Sequence, residues 1–212
     1  MAKKAAQADS APLTITAPDF RTVAVRIEGI APLVINKFSA RSADKMKAAQ
    51  EAGGASKSKR TRDAKDFEQL AFDARHRSGE DWDGIHAASF RNACISACRA
   101  AGFKMTMAKL ALFIEADGFD VDDGTPLVKL TNGTAETWVA TVRNQSGVVD
   151  LRPRPMYRNW SATLRVRYDA GMLSEQDVVN LLARAGLQVG VGEGRPDSKQ
   201  SAGLGFGLFK LI

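Results

Sequence analysis

The residues of this chain with the most chemical potential lie in glycine, arginine, histidine and aspartate clusters. The run Gly190-Val191-Gly192-Glu193-Gly194-Arg195 is followed by Gly203-Leu204-Gly205-Phe206-Gly207. Glycine lacks a Cβ, so its backbone can approach a phosphate or another strand closely. Successive amide groups in such a loop can form a nest for an anion. Arg195 and Lys199 add positive charge between the two glycine clusters. A dinucleotide-binding loop joins an early strand to a helix, whereas this one leads into the last strand. A phosphate-binding P-loop requires Gly-Lys-Ser/Thr opening a helix, which is absent. The plain structural alternative is a glycine turn that closes two strands.

The second cluster is Arg143, Arg152, Arg154, Arg158, Arg165 and Arg167, interleaved with Tyr157 and Trp160. Arginine grips phosphate through two donors and stacks on bases, and aromatic rings offer stacking platforms. A third set, Lys45, Lys47, Lys57, Lys59, Arg60 and Arg62, suits a grip on phosphates that is independent of sequence. Lys37 and Phe38 follow the first strand and belong with the binding candidates. Each cluster also has a bland reading, as a solvated arginine face or a soluble basic loop.

Catalytic and metal chemistry have less material. His76 and His86 are the only histidines. His86 precedes a helix, where it can serve as a general base or play a structural part. Asp117, Asp120, Asp122 and Asp123 can hold a divalent ion or simply make a turn. Cys94 and Cys98 share a helix and are too few for a zinc site. No cofactor and no resident metal are expected.

The elements that must position these residues follow from periodicity. Val23, Val25 and Ile27 alternate with polar residues over 22–28, which predicts a half-buried strand. Gly29 and Pro32 break it before the short run Leu33-Val34-Ile35. Helical spacing joins Phe67, Leu70, Ala71 and Ala74, and again Phe90, Ala93, Cys94, Ala97 and Ala101. Ser89 is the expected N-cap of the second helix, and Gly102 its stop. Leu110–Ile114 reads as a strand. Asn132-Gly133 predicts a hairpin between 126–130 and 137–142. Ala162, Leu164, Val166 and Tyr168 alternate with Ser161, Thr163, Arg165 and Arg167, so both arginines share one face of a strand. Ser174 and Asp177 resemble a capping box opening a helix that Gly186 closes. Residues 208–212 form the final strand.

Residues 1–18 read as a flexible arm and about 41–62 as a mobile basic insertion, with 19–212 one domain. Stripped of insertions, the order is β-α-β-β-α-β, an α+β, modified ferredoxin-like (RRM-like) core. The 212 residues carry a formal charge of +6 with 44% hydrophobic and 25% charged content. Those are ordinary globular values with a basic balance that favours polyanionic partners. No apolar run is long enough to span a bilayer. The N-terminal residues lack a signal-peptide core, so the expected location is the cytoplasm and no membrane partner is expected.

The pattern Gly190, Gly192, Arg195, then Gly203, Gly205 and Phe209 resembles the glycine-rich loop of the RAMP superfamily, the repeat-associated proteins of CRISPR systems. Gly84-Ile85-His86-Ala87-Ala88-Ser89-Phe90-Arg91-Asn92-Ala93 is similar to the helix entrance of their backbone subunits. Glu28-Gly29-Ile30-Ala31-Pro32-Leu33 is similar to the end of their first strand. Arg154-Pro155, Trp160, Ala185-Gly186 and Arg195-Pro196 also look like compact bacteriophage and prophage proteins of this outline. The resemblance implies a subunit that binds single-stranded RNA or DNA, repeated along the strand as a homo-oligomer or filament. The family's proline at the helix entrance is His86 here. The loop after the first strand offers Asn36 and Lys37, with Asp44 later, where cleaving members carry an acidic residue. The expected function is therefore non-catalytic strand binding through Lys37, Phe38, Lys57, Lys59, Arg60, Arg62, Arg152, Arg154, Tyr157, Arg158, Arg165, Arg167, Gly192, Arg195 and Lys199. The alternatives are a mimic of a CRISPR subunit that acts on protein partners, and an endoribonuclease using His86.

Overall fold

A computed structural model describes residues 15–51, 65–143, 147–198 and 203–212. The chain is α+β, built on three antiparallel sheets and five α-helices among the described residues. Strand β1 (Phe20–Gly29) places Ile27 in the core and its polar residues outward, as its alternation predicts. It runs between β11 (Phe209–Leu211) and β10 (Ser161–Asp169), and β10 also pairs with β5 (Leu112–Ile114). Every neighbouring pair is antiparallel: Val23 lies opposite Val166, Gly29 opposite Phe209, and Phe113 opposite Arg167.

Helices α3 (Ala87–Ala101) and α5 (Glu175–Arg184) cover the inner face of this sheet. Phe90, Ala93, Cys94, Ala97 and Cys98 recur at helical spacing on α3 and are buried. They meet Ile27, Leu164, Val166 and Phe209 from the strands in one core. Burial pushes the Cys94 thiol up to about 12 and also raises Cys98, so both remain protonated packing groups. Ser174 and Asp177 form the predicted capping box.

Trp160, between the second and first sheets, is buried, and its indole N–H donates to Ala31 O at 2.9 Å. A Cβ on Gly29 would run into that indole ring, which is why the strand needs glycine there. Trp160 is thus a core residue and not a stacking platform.

The second sheet orders β2 (Leu33–Val34), β9 (Val149–Tyr157) and β8 (Glu136–Arg143). Helix α2 (Phe67–Asp73) packs on β8 and β9. The third orders β3 (His76–Arg77), β4 (Asp83–His86), β7 (Pro126–Lys129) and β6 (Gly118–Phe119).

Several local expectations are corrected. The Asn132-Gly133 hairpin does not form: β7 pairs with β4 and β6, and β8 pairs with β9. Asn132 instead bridges to Ser161, so long-range pairing outweighs the local turn signal. Residues 105–111 form helix α4 (Met105–Ala111), because Ala108 and Ala111 bury at helical spacing, and the strand starts only at Leu112. The N-cap of α3 is His86 rather than Ser89, and its side chain makes no cap bond. Gly186 does not end its helix: a π-helical turn continues over Ala185–Val189 and stops at Gly190. A Cβ at Gly186 would meet the carbonyl of Phe209, so that glycine serves close packing. Within the segment read as an insertion, Ala40–Glu51 is helix α1 with no buried residue. No helix among the described residues is long and apolar enough to cross a membrane.

Candidate nucleic-acid interface

A concavity lies where the end of β2, the β4–α3 junction, the β8–β9 arm and the glycine-rich loop converge. It encloses about 740 Å³, and a second cleft of about 330 Å³ adjoins it. Asn36, Arg152 and Arg154 line both, so the two form one groove.

The glycine loop builds one wall. Gly190, Gly192, Gly194, Gly203, Gly205 and Gly207 all have positive φ, between 69° and 79°. At Gly192, φ is 79° and a Cβ would sit 2.5 Å from Val34 O, so only glycine lets the loop lie on β2. Much of the loop's backbone bonding is internal. Val191 N–H donates to Gly207 O at 3.0 Å, Leu204 N–H to Gly194 O at 2.7 Å, and Glu193 N–H to Val34 O at 2.8 Å. The glycines therefore fix a shape against the strands, and the amides of Val191, Glu193 and Leu204 are engaged within it rather than offered to an anion.

Arginines come from both sides, Arg152 and Arg154 from β9 opposite and Arg195 from the loop itself. Arg154 Nε donates to Glu193 Oε2 at 2.7 Å, tying β9 to the loop with the Arg154 side chain only 13% exposed. Arg195 Nη1 donates to Gly192 O at 3.1 Å, and Arg152 lies exposed at the rim, 3.5 Å from Asp150. Among the described residues lining the larger cleft, Glu193 is the single carboxylate against these three arginines. Asn36, Ser89 and Asn92 also line it, and no described residue hydrogen-bonds their side chains. Phe38 stands 60% exposed at the smaller cleft, beside Lys65, which pairs with Asp150 at 2.8 Å.

The sequence-predicted site residues divide into four groups. Phe38, Arg152, Arg154, Gly192 and Arg195 come together in the groove. Arg165 and Arg167 lie on the outer face of the first sheet. Arg165 meets Asp117 at 2.6 Å, and Arg167 sits over the Phe20 and Phe113 rings at 5.3 and 5.2 Å. Arg158 is also exposed, paired with Glu136 at 2.8 Å. Lys57, Lys59, Arg60, Arg62 and Lys199 lie outside the described residues.

Lys37 and Tyr157 are corrections. The Lys37 side chain is 2% exposed, and its ammonium donates to Asp120 and Asp122, each at 2.6 Å. Burial works against its charge, but the two carboxylates outweigh it and raise its pKa. The same contacts hold Asp120 low despite its burial. Tyr157 is fully buried, and its hydroxyl donates to Asp83 at 2.8 Å. Burial and that carboxylate push the phenol far up, so it stays a neutral donor. Lys37 lines the smaller cleft but its ammonium is held by Asp120 and Asp122, and Tyr157 lines neither cleft.

His76 is the residue that sequence reading passed over. It lines the larger cleft with His86, and the ring centroids are 6.5 Å apart with a 33° tilt. Gly84 lies opposite His76 in the β3–β4 ladder, so His86, two residues on, is its diagonal neighbour. His76 Nδ1 lies 2.8 Å from Asp120 Oδ2. The signal was a tight turn over 78–81 between two short strands, too brief to read by alternation.

No protein-family model and no curated protein matches the chain.

Proposed function

We propose that the chain binds a single strand of RNA or DNA in the groove and is a compact relative of the RAMP superfamily. The observation that carries this reading is the charge balance of a continuous groove: among the described lining residues Arg152, Arg154 and Arg195 stand against Glu193 as the single carboxylate, with Asp150 beside Arg152 outside the lining. Unbonded polar groups at Asn36, Ser89 and Asn92, and the exposed Phe38 ring at one end, fit a backbone with splayed bases. Such a groove suits a polyanion better than a small apolar ligand, which prefers a mostly apolar lining.

The fold supports the same reading. Counting only the strands of the first sheet, the chain order β1, β5, β10, β11 becomes the spatial order four, one, three, two. Helix α3 lies between the first two strands and α5 between the last two. That arrangement is consistent with the split βαβ pattern of ferredoxin-like domains and supports the reading. The glycine loop precedes the last strand, as in the resemblance. Assembly of repeated subunits along the strand belongs to the same proposal.

The test is binding of labelled single-stranded RNA and DNA at two salt concentrations with duplex controls. Tight binding that weakens with salt and favours single strands is expected. Failure to bind either strand at low salt overturns the reading.

A further inference from the structure

The floor of the larger cleft differs in kind from its rim. Arg152, Arg154 and Arg195 bring charge to it, whereas the stripe of α3 that lines it, Ser89, Asn92, Ala93 and Ser96, is uncharged. These four fall at the i, i+3, i+4, i+7 spacing of one helix face. Ser96 is engaged by Asp197, while no described residue hydrogen-bonds the side chain of Ser89 or Asn92. At the head of the stripe stand two imidazole rings. Gly84 lies opposite His76 on the neighbouring strand, so His86 projects from the same face, and both rings line the cleft. Their centroids are 6.5 Å apart and their planes are inclined by 33°. Bases stack about 3.4 Å apart along a strand, so a planar base seated between two rings holds them about 6.8 Å apart. His76 is a fixed wall, because its Nδ1 lies 2.8 Å from Asp120, which is buried and held by Lys37. His86 makes no hydrogen bond to a described residue, and the soft χ2 of histidine lets its ring turn parallel to a base. Burial first and the neighbouring His76 second lower the His86 pKa, against a smaller opposing pull from Asp123, so at neutral pH the ring presents an uncharged face.

We infer that His76 and His86 form a slot for one base of the bound strand, and that Ser89 and Asn92 read the base in it as adenine. This rests on the strand-binding reading and adds a base preference to it. Ser89 and Asn92 lie about 4.5 and 9 Å beyond His86 along the axis of α3, and helical side chains lean back toward the N-terminus, here toward the slot. The carboxamide of Asn92 offers a donor and an acceptor side by side. Adenine presents the matching pair, its 6-amino group donating and a ring nitrogen accepting. Guanine presents two neighbouring acceptors, N7 and O6, which suit an arginine or lysine. No arginine or lysine stands on this stripe, and two of the cleft arginines are already bonded, Arg154 to Glu193 and Arg195 to the carbonyl of Gly192. A pyrimidine has one ring fewer, so it stacks over less of the slot and reaches less far toward Asn92. The arginines at the rim remain for the phosphates on either side of the seated base.

The experiment measures, by fluorescence anisotropy, the affinity for labelled oligouridine strands that carry one adenine, guanine or cytosine at the centre, beside the all-uracil strand. The corresponding oligothymidine series is measured alongside. The expected result is that the strands bind and that the adenine strand binds tightest, by roughly tenfold. Replacing that adenine with the base purine, which lacks the 6-amino group, should remove the gain. Asn92→Ala should bring the ratio of adenine-strand to uracil-strand affinity down to about threefold or less. His86→Ala should weaken binding of the adenine strand by roughly tenfold, and His86→Phe, which restores a flat ring, should recover most of that loss. Circular dichroism confirms that each variant is folded. Strands that bind with no preference for adenine, or a preference that Asn92→Ala leaves unchanged, overturn this inference and leave the strand-binding reading standing. An adenine-strand affinity that His86→Ala does not lower, or that His86→Phe does not recover, overturns the slot. Failure of every strand to bind overturns the strand-binding reading itself.

Discussion

Two faces of this molecule carry arginine, and their chemistry differs. On the outer face of the first sheet, Arg165 and Arg167 stand on β10 with partners supplied by that same face. Asp117 and Glu115 meet Arg165, at 2.6 and 3.5 Å, and the Phe20 and Phe113 rings flank Arg167. In the groove, Arg152 and Arg154 come from a second sheet and Arg195 from a loop. Glu193 is the one carboxylate among the described lining residues and Asp150 stands 3.5 Å from Arg152 outside the lining, so two carboxylates serve three arginines. Arginine count is thus a poor guide to where a polyanion binds. What matters is whether neighbouring carboxylates already neutralise the charge.

The largest expected effect separates the groove's floor from its walls. Lys37→Ala removes one partner of a buried ion cluster and strands Asp120, at a cost of about 3–5 kcal/mol. Denaturant unfolding should show that loss. A Lys37→Ala protein of unchanged stability with weakened strand binding would instead place Lys37 in the interface.

Next, Arg152→Gln with Arg154→Gln should weaken single-strand binding by roughly 100-fold and flatten the salt slope by about 1.4, for two phosphate contacts. Arg165→Gln with Arg167→Gln should change affinity by less than about threefold. Fluorescence anisotropy on both pairs decides the matter. An equal loss from the two pairs would erase the distinction between the faces.

Gly192→Ala tests the wall built by the loop. It forces a left-handed φ of 79° on alanine and drives a methyl group toward Val34 O, at a cost of about 1–2 kcal/mol. Thermal unfolding should register it, with strand binding falling alongside. Arg165→Ala, by contrast, removes an exposed pair and should cost no more than about 1 kcal/mol.

The smallest effect is a pH dependence. His86 is held below its ordinary value of 6.5 in the folded protein, so the unfolded chain takes up more protons as the medium acidifies. Its contribution is complete above about pH 6.5 and is lost as pH falls below that. His86→Gln should flatten the acid limb of a stability profile, and an unchanged limb would mean that the ring is solvated.

The parts of the site differ in how legible they were. The arginines of 152–154 and the glycine loop stood out in sequence because glycine spacing and closely set arginines are local facts. Their convergence was not visible, since β9 lies in a different sheet from β10 although the two strands are almost contiguous in sequence. Lys37 and Tyr157 misled for the converse reason. A basic residue after a strand and a tyrosine among arginines look exposed until Asp120, Asp122 and Asp83 arrive from distant segments.

The sequence by itself determined the elements whose signal is periodic and self-contained. These are the alternation of β1 and β10, the apolar stripe of α3, the Ser174–Asp177 box and the stop at Gly102. In each, side-chain spacing alone selects a buried face. Only the tertiary structure decided the strand partners, the loss of the Asn132-Gly133 hairpin, and the meeting of His76 with His86 across a four-residue ladder. Those depend on contacts between residues far apart in the chain or on very short strands. There the free energy lies in pairing and packing that no local pattern encodes.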